Sequence, residues 1–167
     1  LTPGQEKVDE AFGKDVAEYQ YGGGKENLQS NLGKLKGSVQ ELEANPDLTG
    51  GWTTKVPLLN SDAAQDVINP QMSKVRDDIR GAIQGSLRQV LGAQFTQKEG
   101  DAIFNRAFNA RLSAEENMRR AQAEIDKLEG MAGQKDRALA YFQQNGTLRD
   151  FDPGRTDLSG GQSEVAA

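Results

Sequence analysis

Apolar residues recur along this chain at helical spacing, and the breaks in that recurrence divide it into segments. Val8, Phe12, Val16 and Tyr19 step by four, four and three, drawing one stripe on a helix predicted from about Pro3 to Tyr21. Thr2, Pro3 and Gln5 start it: a capping hydroxyl, a ring suited to the first helical position and an amide three residues after the cap. Gly22-Gly23-Gly24 ends it, because three glycines are costly to hold in a helix. A second helix is predicted over about Lys25 to Ala44. Its Leu28, Leu32, Leu35, Val39 and Leu42 are spaced 4, 3, 4, 3, a heptad seam of about two repeats. Two readings of the seam stay open: one face of an antiparallel helix pair, completing a hairpin over 3–44, or an intermolecular coiled coil. Gly33 and Gly37 weaken this helix by up to about 1 kcal/mol each, so it needs a partner of one kind or the other.

Asn45-Pro46-Asp47 opens a loop over 45–60 that carries the single Trp, Trp52, with Pro57, Leu58 and Leu59. Such a length is unusual for a connection in a compact domain. Either the loop packs over the core with Trp52 as its plug, or Trp52 anchors a partner. Ser61 or Asp62 caps a short helix to about Asn69. Asn69 and Pro70 then start a longer one, on which Met72, Val75, Ile79, Ile83, Leu87 and Leu91 form the clearest amphipathic stripe in the chain. Gly81 and Gly85, four apart on it, suit a close helix crossing. Gly92 lies near its end. Thr96-Gln97-Lys98-Glu99 is a capping box that begins the next helix, to about Phe108, with Phe95 turned inward at the corner. Ser113-Ala114-Glu115-Glu116 reads as a second capping box, opening a long helix to about Gln144. Its seam of Met118, Ala121, Ile125, Leu128, Ala132, Leu139 and Phe142 is broken by Lys135. Glu115 with Arg119 and Glu116 with Arg120 are spaced for ion pairs. Asn145-Gly146 is a left-handed stop. No segment reads as a strand. The expected fold is therefore all-α: an antiparallel bundle of about five helices, with helices over 62–144 after the hairpin and the long 46–60 loop. The helical domain covers 1–150, and 151–167 forms an extended, flexible tail or linker.

Composition narrows the chemistry. The 167 residues contain no Cys and no His, which removes thiolate chemistry, disulfides and the commonest general base and metal ligand. Net charge is −5, so a broad basic surface for nucleic acid is not expected. No stretch approaches the roughly 20 apolar residues of a membrane span. The first residue is Leu, which suggests a chain trimmed, processed or cut from something longer.

Each motif that could carry chemistry has a structural explanation. Tyr21-Gly22-Gly23-Gly24-Lys25 lacks the spacing of a phosphate-binding loop and follows no strand, so it reads as a helix break. Glu115-Glu116 is explained by capping and the helix dipole rather than by paired-carboxylate catalysis. Asp47, Asn60 and Asp62 do not make a calcium loop. Arg106, Arg111, Arg119 and Arg120 form a basic cluster that suits phosphates, an acidic partner or, with Glu115 and Glu116 partly neutralising it, a solvated salt-bridged face. No catalytic, cofactor or metal site emerges. The candidate partner contacts are Trp52, Leu28, Leu32, Leu35, Val39, Leu42, Arg106 and Arg111.

Several stretches carry a resemblance. They are Arg88-Gln89-Val90-Leu91-Gly92-Ala93-Gln94-Phe95-Thr96-Gln97-Lys98-Glu99-Gly100, Arg106-Ala107-Phe108-Asn109, Leu112-Ser113-Ala114-Glu115-Glu116-Asn117, and Tyr141-Phe142-Gln143-Gln144-Asn145-Gly146-Thr147-Leu148. With Leu1-Thr2-Pro3-Gly4-Gln5-Glu6-Lys7-Val8-Asp9 they span most of residues 1–151. Together they resemble helical virion structural proteins of tailed bacteriophages, of the internal, DNA-ejection, portal or tail-associated kind. The resemblance implies a non-enzymatic virion component. Its partners would be other copies of itself and portal, tail or internal proteins, with a part in genome delivery as a further expectation. A cytosolic helical scaffolding module acting through the 28–42 seam is the alternative. A cell-wall hydrolase domain has least support.

Overall fold

A computed structural model describes residues 2–50 and 69–154. The chain is all-helical in these residues, with five α-helices and no strand. They are α1 (Pro3–Tyr21), α2 (Gly24–Ala44), α3 (Pro70–Leu91), α4 (Gln97–Ala107) and α5 (Ala114–Asn145). Short 3₁₀ turns occupy Pro46–Leu48 and Gly92–Gln94. The expected short helix before Asn69, the long loop from residue 51 with Trp52, and the tail from 155 onward lie outside the described residues.

Side-chain caps set four of the five helix starts, and α2 instead begins after Gly23 without one. Thr2 Oγ1 accepts from the Gln5 N–H, and Asn69 Oδ1 accepts from the Met72 N–H at 3.0 Å. At Thr96 the box is reciprocal: Thr96 Oγ1 accepts from the Glu99 N–H at 3.3 Å, and Glu99 Oε2 accepts from the Thr96 N–H at 3.0 Å. The second box forms by half. Ser113 Oγ accepts from the Glu116 N–H at 3.2 Å, but the Glu116 carboxylate turns away to two arginines. Gly146 closes α5 with a φ of 70°, the left-handed conformation that a Cβ disfavours.

Antiparallel α2 and α3 form the central pair. Gln71 at the start of α3 bonds Glu41 near the end of α2, and Gln89 near the end of α3 lies against Gly24 at the start of α2. Between them Gly85 meets Asn31 so closely that a Cβ would overlap the Asn31 amide, whereas Gly81 faces open space. The close crossing therefore uses one glycine of the expected two.

Leu28, Leu35 and Leu42 are at most 2% exposed and Leu32 is 9% exposed, with Val39 packed at their margin. They share a core with Met72, Val75, Ile79, Ile83 and Leu87 of α3 and with Ile125 and Leu128 of α5. The helix they line packs chiefly along α3 and then α5, with α1 a lesser neighbour. The seam is thus spent inside the chain, and its partner is α3 rather than the other half of the 3–44 hairpin or a second molecule. Each such leucine contributes on the order of 1.5–3 kcal/mol by leaving water.

The long α5 runs antiparallel to α2, with Lys36–Glu129 and Lys25–Asp136 pairs along the contact. Helix α4 bridges α3 and α5. Gln84 bonds Asp101, the Arg80 guanidinium lies 4.4 Å from the Phe104 ring centre, and Phe104 stacks on Phe108. Helix α1 buries only part of its stripe: Val16 and Tyr19 are covered and Phe12 half-covered, while Val8 is 56% exposed. Past α5 the chain turns back. The Leu148 N–H donates to Asp9 Oδ1 of α1, the Tyr141 hydroxyl donates to the Arg149 carbonyl, and Phe151 packs on Tyr141 with ring centres 5.5 Å apart.

Candidate functional site

The expected partner contacts do not converge on one surface. The five seam residues lie in or against the core, and Trp52 is outside the described residues. Arg106 and Arg111 are exposed near the α4–α5 corner. There the basic cluster resolves into ion pairs. Arg106 Nε lies 3.5 Å from Glu124, a carboxylate that is itself buried and also takes Lys127 at 2.9 Å. Arg119 and Arg120 both reach Glu116, at 2.7 and 2.8 Å. Hydrogen bonds from Arg119 and then Arg120 hold the Glu116 carboxyl down at about 2. The expected Glu116–Arg120 pair is present, while Arg119 turns to Glu116 rather than to Glu115. The Arg111 backbone N–H donates to Asn109 Oδ1 at 3.0 Å, which shapes the turn.

The glycine turn is a helix break as expected, and Lys25 beside it reaches Asp136 on α5 at 3.2 Å. Three of the grooves that cross the described surface lie at helix junctions. The one between α2 and α3 is lined by Lys34, Ser38, Glu41, Gln71, Lys74 and Asp78, with Lys74 bonded to Asp78 and Glu41 to Gln71. The second, between α1 and the end of α3, presents Lys14, Asp15, Glu18, Tyr19, Arg88 and Gln89. Burial, then the nearby Asp136 and Asp15 charges, push the Tyr19 phenol up to about 12, so it is a neutral donor and not a base. A third, where Phe151 and Pro153 approach Phe12 and Leu91, is mostly apolar. None of the three pairs a nucleophile with a general base. Among the described residues no group of three or more metal-ligating side chains could hold an ion, and no helix is long and apolar enough to cross a membrane.

The most constrained polar groups are ones the hydrophobic pattern does not point to. Lys135 sits at a seam position and is buried, its side chain only 6% exposed. Its ammonium pairs with Asp15 of α1 at 2.8 Å, donates to the Gln89 carbonyl of α3 at 2.7 Å, and lies 4.5 Å from the Tyr19 ring centre. What looks like a break in the α5 seam is the point where three helices are tied together. Asn117 is fully buried. Its Nδ2 donates to the carbonyls of Asn109 (2.9 Å) and Leu112 (3.2 Å) and to Thr49 Oγ1 (3.3 Å), while its Oδ1 accepts from the Asn109 N–H at 2.8 Å. That one amide holds the α4–α5 corner to the turn after α2, where the Gly50 N–H also donates to the Ala110 carbonyl at 3.0 Å. A polar residue at an apolar register position is the only signal that marks Lys135 in the sequence, and no periodic signal marks Asn117.

Comparison with protein-family models, curated proteins and solved structures finds no match to this chain.

Proposed function

We propose that this chain is a non-enzymatic structural component of a phage virion, assembling with copies of itself or with portal, tail or internal proteins. The supporting observation is the role of the residues that carry the resemblance. Thr96 and Glu99 cap α4, Ser113 caps α5, Asn117 ties the corner between them, and Gly146 ends α5. Residues that would be chemical in an enzyme are here occupied in building helix junctions. The surface is dressed with ion pairs, which suits polar contacts to neighbours in an assembly. Helices of weak intrinsic stability that gain it by packing suit folding coupled to assembly. The alternative, a scaffolding module acting through the 28–42 seam, loses its surface because that seam is buried in the core.

Mass spectrometry of purified phage particles tests the proposal. The chain's peptides are expected at a fixed copy number per particle that survives stringent washing. Their absence from particles, with the chain recovered only from the host lysate, refutes it.

A further inference from the structure

We propose that α1 is an exchangeable arm: it opens as one unit about Gly22 and Gly23 while α2–α5 stay folded, and its seat accepts α1 of a second copy.

The first ground is how α1 is held. Of its 19 residues only Asp9, Val16 and Tyr19 are buried, and only Tyr19 belongs to the main core cluster. The rest of its attachment is polar or aromatic-edge. Asp9 accepts from the Leu148 N–H, Phe12 meets Phe142 edge-on at 5.3 Å, Asp15 pairs with Lys135, Tyr19 donates to Asp136, and Gln20 accepts from Gln143. Regions with few buried apolar contacts are the first to open below the global unfolding transition.

The second ground is the hinge. Gly23 has a φ of 83°, which L side chains rarely adopt, and a Cβ on Gly22 would lie 2.7 Å from the Glu18 carbonyl oxygen. The reversal between α1 and α2 therefore depends on these two glycines. With side chains there, the straight continuation of α1 into α2 is favoured over the turn.

The third ground is the seat. With α1 lifted away, Phe142, Ala138, Val90, Leu91 and the Lys135 ammonium lose their cover along one face. A buried ammonium without its carboxylate is strongly disfavoured, so the seat selects a helix presenting an acid in register with an aromatic residue. Helix α1 presents Phe12 and Asp15, and every other copy of the chain carries the same helix. Exchange of identical elements recreates the same contacts between molecules and adds no new interface chemistry. The inference stands apart from the virion reading, since it concerns the isolated chain.

Two measurements test it. Hydrogen exchange of the full chain at increasing sub-denaturing urea is expected to show the α1 amides opening together, ahead of those of α2 and α3. Asp15→Asn is expected to lower α1 protection at least tenfold and leave α2 and α3 unchanged. Protection of α1 equal to that of α2, or loss spread evenly over the molecule in Asp15→Asn, overturns the proposal. The double variant Gly22→Ala/Gly23→Ala is expected to convert the chain to a helical dimer in light scattering. A folded monomer overturns the exchange. If the variant aggregates, chains carrying two different mass labels at Asp15-intact α1 are mixed at high concentration: mixed dimers cross-linked between α1 and α5 support exchange, and intramolecular cross-links alone overturn it.

Discussion

Replacing Asn117 with Ala removes one buried amide and its four hydrogen bonds. The Leu112 carbonyl, the Asn109 N–H and Thr49 Oγ1 all lose it at once, while the Asn109 carbonyl keeps the Leu112 N–H at 3.0 Å. A buried polar group left unsatisfied costs about 1–3 kcal/mol. The Asn109–Leu112 turn is only part-buried, so water reaches some of these groups and the lower end applies to each. Summed over the two backbone groups left unpaired, with a small cavity term, the loss is about 2–4 kcal/mol. That is a large fraction of the roughly 5–15 kcal/mol by which a domain is stable. Urea unfolding followed by circular dichroism measures it: the midpoint is expected to fall with the slope unchanged. Asn117→Asp is a useful companion. It keeps an acceptor for the Asn109 N–H but sets a carboxylate against two carbonyl oxygens, so it is expected to destabilise at least as much. A loss below about 1 kcal/mol in Asn117→Ala would refute the reasoning, because it would mean the corner holds without its amide.

Other substitutions test separate parts of the fold. Gly92 has a φ of 55° and a Cβ there would overlap the Asp15 carboxylate, so Gly92→Ala is expected to cost about 1–3 kcal/mol. Gly81 is helical, exposed and open, so Gly81→Ala is expected to add about 0.5–1 kcal/mol; paired melting curves read both signs. Phe95 is half-buried against Gly100 and Arg88, so Phe95→Ala is expected to cost about 1–3 kcal/mol, below the loss of a fully buried ring. Thr96→Ala removes one half of the capping box and is expected to cost about 1 kcal/mol, with exchange at the Glu99 amide rising first. Glu116 has a folded-state pKa of about 2 against an ordinary 4.5, so its contribution is present above pH 4.5 and lost as pH falls toward 2. The difference in melting temperature between the native chain and Glu116→Gln is therefore expected to shrink over that window, and to shrink with added salt at neutral pH.

Local signals and long-range ones were not equally legible in the sequence. Helix starts could be read because a cap is written within four residues: Thr2, Asn69, Thr96 and Ser113 each sit where an orphan N–H must be met. The α3 stripe could be read because six apolar residues in register leave little choice of face. The neighbour of each stripe could not. The α2 seam is compatible with α1, α3 or a second molecule, and only the folded contacts select α3. Val8 fits the α1 stripe but is left 56% exposed. Lys135 looks like a defect because its carboxylate is on a helix at the other end of the chain. For the same reason local pattern alone marks the candidate partner residues, of which Leu28, Leu32, Leu35 and Leu42 belong to the core.

The ties of α1 to the end of the chain's fold join residues far apart in the sequence: 117 between Tyr19 and Asp136 of α5, and 139 between Asp9 and Leu148 just past it. Contacts of α3 with α4 and of α4 with α5 close over far shorter distances, such as 17 for Gln84 with Asp101 and 18 for Arg106 with Glu124. On a ribosome adding about 5–20 residues per second, α1 therefore emerges roughly 6–25 s before the helix that seats it. During that interval Phe12, Asp15 and Tyr19 lack their α5 partners Phe142, Lys135 and Asp136. On a polysome, neighbouring nascent chains hold α1 segments at the same stage, so the order of synthesis itself brings unseated arms close together.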